Sequence, residues 1–450
     1  MVSERSSHVT QDLCAYLAAA RYADMPARAV HEGRRGVLDW LGCALAGSAH
    51  PTIDKLAGVL EEIGGRPQVS VLGRKLKLGL LDGALANGQM GHVLDFDDTH
   101  SVDTTVLHTS SPVLAALFAL AQRAAVSGQA FLLAYASGFE AGIRSGLAAP
   151  GHLKGGWHTT GTLGAIAAAV AAGKLLGLDA KQLNHAMAIG ATQAGGMQQN
   201  RGTSCKSFHA GKAAMSGVLA GLLAQRGFDS SLEIIEGKLG YSRIYSDVAA
   251  PELLTADLGS RGWEIERNGH KPYACGFVLH AALDAVLALR AQAQIDPGQV
   301  SAIEIVGHPH VLSVTGTLAP VTGLQSKFSI YHSAAVAFID GAAQAHQYTD
   351  QRALDPAVIA LRLKVKVSVD ESFRKDQAQA FMIAGGKRYE ATIEHASGMA
   401  ENPMSDAAIE AKFLANAEPV IGKERALRVA ESVWKLDELK DVGEIVALCD

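Results

Sequence analysis

From about residue 10 to residue 265, apolar positions recur at three- and four-residue steps, interrupted by glycine-rich or charged connectors. In "AVHEGRRGVLDWLGCALAG", residues Val30, Val37, Leu38, Leu41 and Ala44 share one helical stripe while Glu32, Arg34 and Arg35 lie elsewhere, which predicts an amphipathic helix. The segments "SPVLAALFALAQRAAVSG", "GTLGAIAAAVAAGKLLGLD", "AKQLNHAMAIGATQAGG" and "GKAAMSGVLAGLLAQRGF" repeat the pattern, and each ends near a glycine or a basic residue, as helix C-termini prefer. Their small residues permit close helix approach.

After "KPYACG" the period changes. "VSAIEIVGHP" carries a short β-like run, and "LRLKVKVSVD" alternates Leu361, Leu363, Val365, Val367 and Val369 with Arg362, Lys364, Lys366 and Ser368, the signature of a half-buried strand. A strand pair follows in "AQAFMIAGGKRYEATIEHA", whose "GGKR" supplies residues for a hairpin turn. From about residue 397 the text returns to helix, with Ser405 as N-cap. This order predicts a mostly α protein with an α+β second domain. Residues 1–266 and 397–450 form a large all-helical domain, and residues 267–396 a smaller α+β domain.

A length of 450 residues is too great for one ordinary core, and 48% apolar with 19% charged residues is the composition of a packed globular chain. A net charge of -5, without any run of Lys and Arg, gives no field for a phosphate backbone, which argues against a nucleic-acid partner. The longest apolar stretches fall short of the about 18–20 residues that cross a bilayer, so they read as buried helices and no membrane partner is expected. The N-terminal twenty residues lack the apolar core of a secretory signal, and the expected location is cytoplasmic. Five scattered cysteines without a C-x-x-C encode neither a disulfide frame nor a thiolate zinc site.

Against this apolar background, "GHVLDFDDTHSVDTTVLHTSSP" (91–112) concentrates four carboxylates, three imidazoles and several hydroxyls. A metal site, an acid/base centre and a solvated, helix-capping loop are the candidates. Asp95, Asp97, Asp98 and His100 offer oxygen and nitrogen ligands, but the stretch has neither H-E-x-x-H nor the spaced glycine of a calcium loop, so no metal is assigned. "SFHAGKAA" is not a P-loop, because Ala213 and Lys206 stand where Ser/Thr and the first glycine belong, and no G-x-G-x-x-G follows a strand. Other polar islands sit in apolar text: His158 in "GGWHTTGTLG", Lys206 and His209 in "CKSFHAGK", Lys271 in "HKPYACG", and Tyr331 and His332 in "SKFSIYHSAAVAFIDG". Each alone has a structural explanation. Helix termini converging at a cleft would instead gather these His, Lys and Asp side chains around one anionic ligand.

Taken in order, "NGQMGHVLDFDDTH", "LHTSSPV", "GWHTTGTLGA", "KSFHAGKAA", "KPYACG" and "KFSIYHSAAVAFIDG" resemble the MmgE/PrpD family over nearly the whole chain. That family includes 2-methylcitrate dehydratase, cis-aconitate decarboxylase and iminodisuccinate epimerase. The resemblance implies a helical domain with an α+β lid, a homodimer, catalysis without metal or organic cofactor, and a small di- or tricarboxylate as the molecule bound. Carried over by position, the family's site falls on Asp95, Thr99, His108, His158, Lys206 and Lys271. Many relatives have His-Pro-Ser where this chain has His108-Thr109-Ser110, which keeps the imidazole. Others have Tyr at the place of His332, one residue after Tyr331.

Chemistry next to a carboxylate must develop carbanion-like charge beside an anion, which lysines and histidines in a dry cleft can stabilise. The expectation is therefore that His108 and His158 exchange protons, Lys206 and Lys271 clamp carboxylates, and Asp95 with Thr99 orients a histidine or the substrate. His209, Tyr331 and His332 are expected to contact substrate. The favoured activity is a dehydratase-type lyase on a di- or tricarboxylic hydroxy acid. Epimerisation of an iminodisuccinate-like acid and decarboxylation of a cis-aconitate-like acid are the alternatives, and a non-catalytic carboxylate-binding protein is the rival from another class.

Overall fold

A computed structural model describes residues 8–102, 105–293 and 295–450. Asp103, the fourth carboxylate of the polar stretch, and Thr104 lie outside the described residues, as do residues 1–7 of the N-terminal segment.

The first part of the chain is helical: α1 (Ala27–Ser48), α2 (Leu80–Val93), α3 (Ser110–Ala121), α4 (Gly128–Leu147), α5 (Thr159–Leu175), α6 (Ala180–Ala191) and α7 (Ser204–Gln225). Between α2 and α3 a small antiparallel hairpin pairs β1 (His100–Val102) with β2 (Thr105–Leu107). Helices α3, α5 and α7 are so rich in Ala, Gly and Val that α3 and the first fifteen residues of α5 are buried on every side. Close approach is what this composition permits: a Cβ on Gly88 of α2 would come within 2.8 Å of the Gly211 Cα on α7, and one on Gly211 would overlap the Leu85 carbonyl oxygen. The α2–α7 crossing therefore requires glycine on both sides.

Helix α7 starts earlier than its periodicity predicts. Thr203 caps it by accepting from the Cys205 backbone N–H, so Lys206 and His209 fall on its first turns rather than in a loop.

Between residues 268 and 399 the chain builds the second unit. Helices α8 (His280–Ala293) and α9 (Ile330–Asp340) pack on a four-stranded sheet of β3 (Val300–Gly307), β4 (Val365–Val369), β5 (Ala378–Ala384) and β6 (Lys387–Ile393), in the order β4-β3-β5-β6. Strands β3 and β4 are parallel, pairing Ile305 with Val367, and the other pairs are antiparallel, with Ala380 opposite both Ile305 and Ala391. Along β5, Ala378, Ala380, Met382 and Ala384 point inward in strict alternation. Gly385 and Gly386 both adopt positive φ in the β5–β6 turn, as the "GGKR" reading requires.

The predicted strand over 361–369 is shorter than its alternation suggests. Asp355 caps a helix over Pro356–Arg362, with proline at the first helical position, and only Val365–Val369 joins the sheet, as an edge strand. Leu363 is left exposed.

The chain then returns to the first unit as α10 (Asp406–Ile421), capped by Ser405, and α11 (Lys423–Trp434). Helix α10 packs along α1 and joins one continuous apolar core drawn from residues 9–265 and 409–449, while a second core lies within residues 274–399 and also takes in Cys43 and Phe96. The junction between the units is polar and buried. His270 sits between Asp39 and Glu32 of α1, and Lys412 of α10 pairs with the same Asp39. Among the described residues no helix is long and apolar enough to cross a membrane.

Candidate active site

Three helix N-termini and one C-terminus meet at a cavity of about 620 Å³. The N-termini are those of α3, α5 and α7, and their unpaired backbone N–H groups and dipoles make the region favourable for anions. His108 lies just ahead of α3, His158 is the residue preceding α5, and Lys206 stands on the first turn of α7. Asp95 follows the C-terminus of α2 with φ of 51°, a left-handed conformation that turns the chain sharply into the polar stretch. Asp95, His108, His158 and Lys206 all line the cavity.

Asp95 is the anion on which two lysines converge. Lys206 Nζ donates to its Oδ2 at 3.0 Å, and Lys271 Nζ donates to its Oδ1 and, at 3.1 Å, to its backbone carbonyl. Burial alone would raise the Asp95 carboxyl, but Lys206 and Lys271 hold it well below the usual carboxylate range. The lysines respond differently. Burial lowers the Lys206 amine despite Asp95, whereas at Lys271 the attraction of Asp95 and Asp97 outweighs burial and raises it. Lys271 thus lies behind Asp95, outside the cavity lining, and Lys206 faces the open space.

The two histidines are kept neutral. Burial, reinforced by the Lys271 charge, brings the His108 imidazole down to about 3, and burial with the Lys206 charge holds His158 well below the ordinary histidine value. His108 Nδ1 lies 2.7 Å from the Asp98 carbonyl oxygen and 3.0 Å from Thr99 Oγ1. A carbonyl oxygen only accepts, so Nδ1 carries the hydrogen and the lone pair of neutral His108 is on Nε2. Thr99 is therefore a partner of His108 behind the cavity, itself fixed by an antiparallel bridge to Gly269, one residue before His270.

His209 occupies a different place from the one the sequence suggests. Its Nδ1 is 2.9 Å from His158 Nδ1, one turn along α7 from Lys206, so it backs His158 instead of lining the cavity. Tyr331 and His332 are also displaced from the expected substrate contact. Tyr331 packs half-buried against the second core, and His332 is fully buried there with Nε2 donating to the Gln347 carbonyl at 2.9 Å. Helical spacing explains it: α9 turns these two residues into its own unit.

Several residues join the site that the sequence reading passed over. His92, on the last turn of α2, stacks 5.7 Å from the His158 ring and lies tilted 4.9 Å from the His108 ring, with Nδ1 held by Asp97 at 2.8 Å. Its place inside the quoted polar stretch was the available signal. Lys327, in the island that drew attention to Tyr331 and His332, bonds the Leu94 and Ala274 carbonyls at 2.6 and 2.7 Å, and burial brings its amine down to about 8. Gln198, on a single 3-10 turn over Gln198–Asn200, and Arg201 just after it line the cavity from a segment without any periodic pattern. Among the described residues two groups bring ligand-capable atoms together: buried His92, Asp97 and His108, and the more exposed Asp376, His395 and Glu401. In the first, the hydrogen bonds of His92 to Asp97 and of His108 to Asp98 already occupy both Nδ1 atoms.

Comparison with known proteins follows the same residues. Residues 11–254 match the MmgE/PrpD N-terminal domain and residues 273–437 the MmgE/PrpD C-terminal domain. A cis-aconitate decarboxylase of Aspergillus terreus is 29% identical over 99% of this chain and 96% of the relative. The cis-aconitate decarboxylase-like protein oryM of Aspergillus oryzae is 28% identical over 99% of this chain and 98% of its own length, and the cis-aconitate decarboxylase of Homo sapiens is 24% identical over 98% and 94%. With both halves matched in order, this chain belongs to the MmgE/PrpD family.

Proposed function

We propose that this protein is a cofactor-independent lyase acting next to a carboxylate of a small tricarboxylic acid, with decarboxylation of a cis-aconitate-like acid as its reaction. The observation that carries the reading is that two imidazoles, His108 and His158, line one cavity with a lysine already engaged by a carboxylate. The names of the relatives over nearly the full chain favour decarboxylation among the family's reactions.

In this reading Lys206 and the N-termini of α3, α5 and α7 hold substrate carboxylates. Anions placed beside His158 favour its imidazolium, reversing the effect of burial and of the Lys206 charge. Carbon dioxide leaves as its C–C bond breaks. The electron pair shifts through the adjacent double bond, and the carbon at its far end takes the proton from His158 Nε2. His158 is left neutral, with Nδ1–H donating to the His209 Nδ1 lone pair, and regains its proton from solvent.

The tautomer of His108 supports a second reading, dehydration of a hydroxy acid. There the Nε2 lone pair of His108 takes the proton next to the carboxylate, and His158 protonates the departing hydroxyl.

The test is incubation in D2O with citrate-like, cis-aconitate-like and amino-dicarboxylate compounds, followed by NMR. Decarboxylation gives a product one carboxyl shorter with one deuteron on carbon. Loss of water, inversion without loss of carbon, or no reaction with any of the compounds would each displace the decarboxylase reading.

A further inference from the structure

Asp95 is held through its backbone as well as through its carboxylate. Its own carbonyl accepts from Lys271 Nζ, and the carbonyl before it, on Leu94, accepts from Lys327 Nζ at 2.6 Å. Between them the Asp95 N–H donates to the His92 carbonyl at 3.1 Å. The two peptide planes that flank this left-handed residue are therefore each fixed by a lysine from the second unit. Leu94 closes the C-terminus of α2, where carbonyls lack partners within the helix and the dipole favours a cation.

Lys327 also reaches the segment that carries Lys271. Its Nζ donates to the Ala274 carbonyl at 2.7 Å, and its backbone carbonyl accepts from the Gly276 N–H at 3.0 Å. The next residue, Phe328, lines the cavity with its ring centroid 5.4 Å from Lys206 Nζ. One residue thus ties together the end of α2, the 271–276 segment and the ring beside Lys206.

Lys327 is 3% exposed, and burial brings its amine down to about 8, so at pH 7 it is still an ammonium. Burial disfavours that charge, and a cation kept against desolvation beside a cleft is a mark of a functional site. Lys174 on α5 offers the comparison. Its Nζ donates to the carbonyls of Leu17, Ala18 and Ala20 at 2.7, 2.9 and 2.7 Å, closing the helix over Val9–Ala19 outside the cavity lining.

We propose that Lys327 is a positioning residue of the site, fixing the Leu94–Asp95 peptide and so setting where the Asp95 carboxylate holds the Lys206 amine. This rests on the reading of the cavity as a carboxylate site. A reacting group misplaced by about 1 Å costs on the order of 100-fold in rate, so a tie of this kind has a measurable effect.

The test measures Kd for propane-1,2,3-tricarboxylate by calorimetry at pH 7, and turnover by NMR of the acid that wild type converts. The variants are Lys327→Met, Lys206→Met, the double variant and Lys174→Met. Melting curves check folding, and Lys327→Gln, which keeps a neutral donor, replaces Lys327→Met if the latter does not fold. Lys327→Met should weaken Kd by about tenfold or more and lower kcat with it, whereas Lys174→Met should leave Kd within about twofold. Because Lys327 acts through Lys206, adding Lys327→Met to Lys206→Met should weaken Kd by less than about threefold more. Equal effects of Lys327→Met and Lys174→Met would overturn the proposal, leaving Lys327 a packing residue. A full loss repeated in the Lys206→Met background would also overturn it, since Lys327 would then act on the anion by charge alone. The expected pattern in Kd without turnover of any acid upholds the positioning role and removes the proposed reaction. Turnover with Kd and kcat untouched in Lys327→Met does the reverse.

Discussion

Replacing Asp95 by Asn removes the carboxylate to which two buried lysines donate while leaving the shape nearly unchanged. Asn adopts the left-handed backbone of this position as readily as Asp, so the φ of 51° adds no penalty of its own. Lys271 is 1% exposed, so its amine cannot recover a counter-ion from bulk water, whereas Lys206, 13% exposed, faces the cavity. Removing one partner of a buried pair costs about 3–5 kcal/mol. Asp97 still attracts Lys271, which places the expected loss near the lower end, about 3 kcal/mol. Lys271→Met should cost about 2–3 kcal/mol, because Asp95 then keeps only Lys206 as its cationic partner. The double variant removes both charges, and its loss should fall short of the sum by about 2 kcal/mol or more. Urea denaturation followed by circular dichroism measures all three, provided the slope is unchanged. Losses that add within about 0.5 kcal/mol would refute the argument, since they would show that Asp95 and Lys271 do not depend on one another.

Three further outcomes follow from other parts of the structure. His209→Phe removes the partner of His158 Nδ1 and should lower kcat by about tenfold or more while shifting a limb of its pH profile, with KM little changed; an unaltered profile would leave His209 a packing residue only. At His270, burial is outweighed by Glu32 and Asp39, which push the imidazole from 6.5 up to about 9. A raised folded value means that its contribution, roughly 3 kcal/mol, is complete below pH about 6.5 and is lost as pH rises through about 9. Denaturation midpoints from pH 6 to 10 should therefore fall more steeply for wild type than for His270→Gln, and parallel curves would exclude that role. Gly211→Ala should cost about 1–3 kcal/mol by forcing α7 from the Leu85 carbonyl, whereas Gly58→Ala, which meets nothing within 4 Å, should gain about 0.5–1 kcal/mol; equal effects in a melting assay would contradict the α2–α7 crossing.

What could be read from the chain depended on range. Local periodicity marks α1 and α5, the Ser405 cap and the Gly385–Gly386 turn, because each is decided by residues within one or two turns. The strand over 361–369 was overdrawn because an alternating pattern competes with the Asp355–Pro356 helix start, and only the cap decides between them. At the site, polar islands in apolar text pointed to Asp95, His108, His158 and Lys206, which the fold brings to one cavity. The order of layers was not legible. That Lys271 and Thr99 stand behind Asp95 and His108, and His209 behind His158, depends on how helices cross, which no spacing encodes. Tyr331 and His332 belong to α9, whose buried face is set by the second core. Arg201 was invisible because a loop side chain reaching across to Val314 leaves no periodic trace.

The measurement that bears most directly on the proton-transfer pocket is turnover by His108→Asn and His158→Asn of the acid that wild type converts. It is read beside the Kd of each variant for a non-reacting tricarboxylate. The account predicts that kcat for His158→Asn falls by about 100-fold or more, that His108→Asn also loses rate, and that Kd stays within a few-fold in both. Near-wild-type kcat in the His158 variant, with binding intact, would contradict it.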